Sequence, residues 1–151
     1  TSGQRGQPIT VSLFDSGVSN LEAADFWLTF DSAVFGNFSA AVGSATSGFS
    51  LAAGSPVSAG GSLLQVDFSL ATPGAPVDGV GGSLVDVEFS IAPGAPLGAS
   101  ELVFESSLFS DYVIPRTSGS VTVTVAVPEP GSSMLFGMAL MALGIFCRRR
   151  M

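Results

Sequence analysis

The side chains that carry most enzyme chemistry are scarce in this chain: among 151 residues there is no histidine, no lysine and a single cysteine, Cys147. Without histidine the commonest general base, the Ser–His arrangement and the usual zinc and iron ligand sets are missing. One cysteine forms neither an intrachain disulfide nor a thiolate cluster. Carboxylates remain. Asp67, Asp86, Glu88, Glu101 and Glu105 are numerous enough for an acid and base pair, but no spacing among them selects two. Each alternates with apolar residues, so they read more simply as the solvated outer face of strands. No catalytic residue is assigned, no cofactor is expected, and the chain is expected not to be an enzyme.

Two other chemistries are open. Oxygen-ligated calcium is the only metal the composition permits, with Asp15, Asp31 and Asp78 as candidate ligands beside loop carbonyls. No Asp-x-Asp-x-Asp loop exists, and all three aspartates also fit a turn role. Planar aromatics could stack on a sugar ring: Trp27 and Tyr112 are the candidates, each able to face outward from a strand or to pack between sheets.

The elements that would position these residues read as strands. Ile9 to Leu13 alternates apolar with polar, and Asp15-Ser16-Gly17 follows as a turn. In Asp25-Phe26-Trp27-Leu28-Thr29-Phe30-Asp31 the residues Phe26, Leu28 and Phe30 share one face and Trp27 takes the other. Val34 to Phe38 reads as a short strand, whereas 40–62 is poor in anchors. A repeat follows, Gly61-Ser62-Leu63-Leu64-Gln65-Val66-Asp67-Phe68-Ser69-Leu70 against Gly82-Ser83-Leu84-Val85-Asp86-Val87-Glu88-Phe89-Ser90-Ile91, each copy trailed by Pro-Gly-Ala-Pro. Glu101–Glu105, Asp111–Ile114 and Gly119–Val125 complete the strand candidates. Short strands separated by Gly and Pro turns predict an all-β sandwich of about nine strands. The Pro-Gly-Ala-Pro loops carry no reactive group and read as rigid turns.

Residues 17 to 31 resemble the early strand of the cohesin domain, a jelly-roll sandwich. Leu84–Ile91, Gly94, Gly98, Glu101–Phe104 and Gly119–Val123 are similar to that family's hydrophobic strand, glycine turn, next strand and last strand. The resemblance covers roughly residues 8 to 126 and implies a non-catalytic docking module, which in that family binds a calcium-loaded dockerin. Related sandwiches bind polysaccharide through planar aromatics, which leaves a protein and a polysaccharide as alternative ligands.

The end of the chain differs in kind. Val127-Pro128-Glu129-Pro130-Gly131-Ser132 leads into an uncharged apolar run from Met134 to Phe146, and Cys147-Arg148-Arg149-Arg150-Met151 closes it. The prolines favour an extended peptide. A helix over 132–147 would be roughly 24 Å long, short for a ~30 Å hydrocarbon core, and would span with help from snorkelling arginines. Those arginines would stay on the cytoplasmic side, which places the body outside that membrane. Pro128-Glu129-Pro130, the apolar helix and Arg148-Arg149-Arg150 resemble, in order, the three parts of the PEP-CTERM sorting signal. That resemblance implies recognition by an exosortase, export through an inner-membrane intermediate, and delivery to the cell surface or exopolysaccharide-rich matrix of a Gram-negative bacterium. A plain tail anchor on an envelope protein of structural role is the alternative.

Organisation follows: residues 1–126 form the sandwich and 127–151 the sorting segment. The chain starts Thr1-Ser2-Gly3 without methionine or apolar leader, which for an exported protein points to a fragment or a processed terminus. In the body eleven acidic residues face only Arg5 and Arg116, a net charge of −9. Phosphate binding needs Lys and Arg, so neither nucleic acid nor an anionic lipid surface is an expected partner of the body.

Overall fold

A strand that alternates apolar with polar residues buries one face and wets the other. The computed structural model describes residues 1–108 and 110–125. The chain runs β1 (Ser2–Gln4), β2 (Pro8–Asp15), β3 (Ala23–Asp31), β4 (Phe35–Val42), β5 (Ser50–Ala53), β6 (Val57–Gly60), β7 (Leu63–Ala71), β8 (Gly82–Ile91), β9 (Gly98–Ser106) and β10 (Thr117–Thr124). In β3 the residues Ala24, Phe26, Leu28 and Phe30 are buried, and Asp25, Trp27, Thr29 and Asp31 are half-buried on the opposite side.

One sheet has the order β1-β10-β9-β3-β7-β5, with β6 also paired to β7, and the other has β2-β8-β4. β1 runs parallel to β10; the other pairings are antiparallel. The fold is an all-β sandwich, and the described residues contain ten strands and no helix. The count exceeds the expected nine because β1, β5 and β6 are short and carry little hydrophobic pattern. Their stability comes from the hydrogen bonds of longer neighbours, which a single strand's sequence does not display.

The two repeat copies become β7 and β8 and lie in opposite sheets, each turning its alternate apolar residues into the shared core. Val66, Phe68 and Leu70 point inward from one side, Val87, Phe89 and Ile91 from the other, and all six are buried. Phe38 on β4 touches both phenylalanines, at centroid distances of 6.3 Å to Phe68 and 6.4 Å to Phe89. Phe89 also packs on Phe30 and Phe35, both at 5.0 Å, and Phe26 stacks on Phe68 at 5.4 Å. Tilted and offset pairs of this kind add to the burial of the rings themselves.

One polar side chain is fully buried among the described residues, and it is satisfied. Thr46 donates to the Leu84 carbonyl at 2.6 Å and accepts from the Gly43 amide at 3.1 Å. The approach requires glycine at 43, where a Cβ would fall on the Ser83 carbonyl.

One expectation changes here. Asp111–Ile114 is a loop and not a strand: Ser110 donates to the Tyr112 carbonyl, and Ser106 bonds both the amide and the carbonyl of Ile114. Local hydroxyl bonds of this type replace a ladder. The Pro-Gly-Ala-Pro copies are turns with different surroundings. The copy at 73–76 is exposed, whereas Ala95 of the second is buried and its carbonyl accepts from Arg5 Nε at 2.6 Å. The expected helix over 132–147 lies outside the described residues; within them no helix is long and apolar enough to cross a membrane.

The strand directions give the sandwich two rims. Segments 5–8, 31–35, 60–63 and 91–98 surround the point where the chain leaves β10, while 15–23, 42–50, 71–82 and 106–117 form the opposite rim.

Candidate functional site

On a pleated sheet, residues directly opposite on neighbouring strands project on the same side, with Cβ atoms about 5 Å apart. Trp27 sits on the central strand β3. Its register partner on β7 is Asp67 and its partner on β9 is Glu105. Two residues along, Asp25 is opposite Ser69 and accepts a hydrogen bond from its hydroxyl. The outer face of the larger sheet therefore presents one half-buried indole flanked by carboxylates on both sides. A shallow groove of about 290 Å³ runs along it, lined by Asp25, Phe26, Trp27, Asp67, Phe68, Ser69 and Ser107. The indole offers a flat apolar surface and the carboxylates offer acceptors and negative charge, an arrangement that suits a cationic side chain or a polyol better than an anion.

Only part of this grouping is legible beforehand. The outward turn of Trp27 follows from alternation, and Asp25 lies two residues away on the same strand, a signal that places both on one face. Asp67 and Glu105 are read from sequence as unrelated acids, because nothing local states that β7 and β9 both border β3. The remaining acids disperse: Asp86 and Glu88 face outward from β8 in the other sheet, so they cannot act with Asp67 on one ligand.

Tyr112 occupies a different place. Its ring is half-buried against the core, and its hydroxyl donates to Asp15 Oδ2 at 2.9 Å. This bond ties the loop after β9 to the end of β2. Burial raises the Tyr112 phenol above its ordinary value of 10.0, and the hydrogen bond to Asp15 and the charge of Asp15 act in the same direction, against a smaller lowering by the Ser19 backbone. The folded state thus holds the phenolic proton more tightly than the unfolded chain. Its stabilising contribution is complete below about pH 10 and is lost as the pH rises above that. Tyr112→Phe should cost about 1 kcal/mol at neutral pH through the lost hydrogen bond and should flatten the fall of stability above about pH 10. Urea midpoints at neutral pH and at about pH 11 measure both effects.

The three aspartates named as calcium candidates each serve a turn or loop. Asp15 Oδ1 accepts from the Gly17 amide at 2.9 Å, Asp31 Oδ1 from Ala33 at 2.8 Å, and Asp78 Oδ1 from Asn20 at 3.1 Å, where Asn20 has a positive φ of 52°. Asp15 and Asp78 stand on one rim and Asp31 on the other. No group of three or more metal-ligating side chains gathers among the described residues. The sorting residues Pro128, Glu129, Pro130, Arg148, Arg149 and Arg150 lie outside the described residues.

Comparison with known proteins separates the two parts of the chain. Residues 126–150 match the PEP-CTERM protein-sorting motif. The sandwich is similar in structure to solved cohesins. The cohesin of a type I cohesin–dockerin complex from Clostridium thermocellum superposes with a TM-score of 0.62 at 17% identity, over 82% of this chain and 93% of that one. The third cohesin ScaC of Acetivibrio cellulolyticus, solved with the ScaB dockerin, gives 0.59 at 17% identity, over 83% and 94%. A non-cellulosomal cohesin from the archaeon Archaeoglobus fulgidus gives 0.56 at 16% identity, over 82% and 85%. No curated protein matches the chain by sequence. The fold is cohesin-like, and the sorting motif marks the chain for export to the cell envelope and for processing by an exosortase.

Proposed function

We propose that the chain is a non-enzymatic cell-surface or biofilm-matrix protein of a Gram-negative bacterium, sorted by an exosortase, whose sandwich (residues 1–126) holds a partner protein on the outer face of β3, β7 and β9. The observation that carries this reading is Trp27 placed between Asp67 and Glu105 on a sheet face. An aromatic anchor ringed by polar groups is how a few residues supply most of the energy of a protein interface. The acids and the −9 charge of the body select a partner segment bearing Lys or Arg. Solved cohesins of the same fold are seen in complex with dockerins, which supports a protein ligand. Residues 127–151 act as a removable address, with Pro128-Glu129-Pro130 as the recognition peptide and the apolar run with Arg148-Arg149-Arg150 holding it transiently in the membrane.

A polysaccharide ligand is the second reading, favoured by the flat indole beside acceptors on Asp25 and Asp67. Binding of the exported protein to an array of the producer's exopolysaccharide fragments, set beside capture of surface proteins, separates the two. Saturable protein capture with a bare array supports protein docking; array binding competed by free sugar overturns it. Delivery is tested by the intact mass of the mature protein from cells with and without the sorting protease. The expected result is loss of roughly the last 20 residues, about 2 kDa, only when the protease is present, and an unshortened chain in both would make the tail a plain anchor.

A further inference from the structure

The charges of the sandwich are divided unevenly between its two rims. Asp15, Glu22, Asp25, Asp78, Glu105 and Asp111 lie on or beside the rim remote from the chain's exit where, among the described residues, Arg116 is the one basic side chain and the rim stays net acidic. The exit rim carries Asp31 and Arg5, and the Arg5 side chain is held on the Ala95 carbonyl. Where the chain leaves β10 exposed apolar residues stand beside the polar Gln4, Gln7 and Thr124: Leu97 is 54% exposed and Val125 53%, with exposed Pro93 and Pro96 in the adjoining turn. Gly98 pairs with Val123, so the turn that carries Leu97 lies beside the end of β10, from which Val125 leaves.

This rim lies very near the sorting peptide. Pro128 is three residue steps beyond Val125, and a fully extended chain of that length reaches at most roughly 10 Å. An enzyme that takes Pro128-Glu129-Pro130 into an active site cannot do so at that reach without touching the domain. We infer that the exit rim, with Leu97 and Val125 as its exposed apolar residues, is a docking surface for the membrane-embedded sorting enzyme, and that the protein is recognised through this rim as well as through its tripeptide. The proposal rests on the sorting reading given above. The acidic rim is turned away from the anionic membrane surface in this pose, which removes a repulsion that the opposite orientation would incur.

The test uses the full chain in cells that express the sorting protease, following the shortened form by intact mass over time. Leu97→Asp buries an unpaired carboxylate in the proposed contact and should slow tail removal by about tenfold or more. Val113→Asp, at a residue 73% exposed on the remote rim, should leave it unchanged. Inserting an eight-residue Gly-Ser spacer between Val125 and Pro128 adds reach of up to ~28 Å, so the enzyme no longer meets the rim and the Leu97→Asp chain should regain the rate of the spacer-bearing parent. Equal rates for Leu97→Asp and the parent would overturn the inference. So would a defect that persists with the spacer, which would assign it to folding or to contact with the lipid surface. A parent chain that is never shortened would instead overturn the sorting reading itself.

Discussion

Trp27→Ala should weaken capture of the surface partner by roughly thirtyfold or more, the effect of removing an interface anchor worth about 2 kcal/mol. Its effect on the fold should be small, because the indole projects from the outer face of β3 while Phe26 and Leu28 hold the strand in the core. Asp67→Lys distinguishes the kind of contact. It places a cation beside the indole and reverses the charge offered to a basic partner segment. For a cationic partner the loss should approach that of Trp27→Ala; a neutral glycan would register the change mainly through a lost hydrogen bond, about 1 kcal/mol or a few-fold. Affinity measured by calorimetry at two salt concentrations reads both, since the charge-dependent part weakens as screening increases. Full affinity in Trp27→Ala would remove this face from consideration.

The second large effect is on stability. Phe89→Ala should destabilise the sandwich by about 3–5 kcal/mol, a large share of the stability of an ordinary domain. Phe89 is 1% exposed and contacts Phe30 of the opposite sheet as well as Phe35 and Phe38 of its own, so truncation opens a cavity at the junction of the two sheets. Phe14→Ala is the matched control: that ring is 69% exposed, and the change should stay within about 0.5 kcal/mol. Urea unfolding of the two variants gives the comparison directly. Because Phe30 shares β3 with Trp27, Phe89→Ala should also weaken binding indirectly, whereas Trp27→Ala leaves the urea midpoint in place. This asymmetry separates a contact residue from a supporting one.

The repeat and the polarity of the rims connect these results. β7 and β8 use one local pattern twice, yet one copy contributes Asp67 to the Trp27 face and the other places Glu88 on the opposite outer face. The second face also has a shallow groove, lined by Pro8, Asn37, Phe38, Ser39, Glu88, Phe89 and Ser90, without an indole. The duplicated pattern therefore contributes an acid to two outer faces, only one of which carries an indole.

Much was determined by the sequence alone. Period-two alternation set which residues of β2, β3, β7, β8 and β9 point inward, since a strand's side chains must take opposite sides in turn. The absence of histidine and lysine removed whole classes of chemistry, and the order of Pro-Glu-Pro, apolar run and arginines marked the address at the end of the chain. Tertiary structure decided the rest. Which strand borders which is a matter of long-range hydrogen bonding, so the union of Trp27 with Asp67 and Glu105, 40 and 78 residues away in sequence, left no local trace. The same applies to Tyr112: its aromatic and β-branched neighbours fit a strand, but the hydroxyls of Ser106 and Ser110 and the bond to Asp15, 97 residues away, hold it in a loop. Side-chain direction is a local property of the backbone, whereas neighbourhood is set only when the whole core closes.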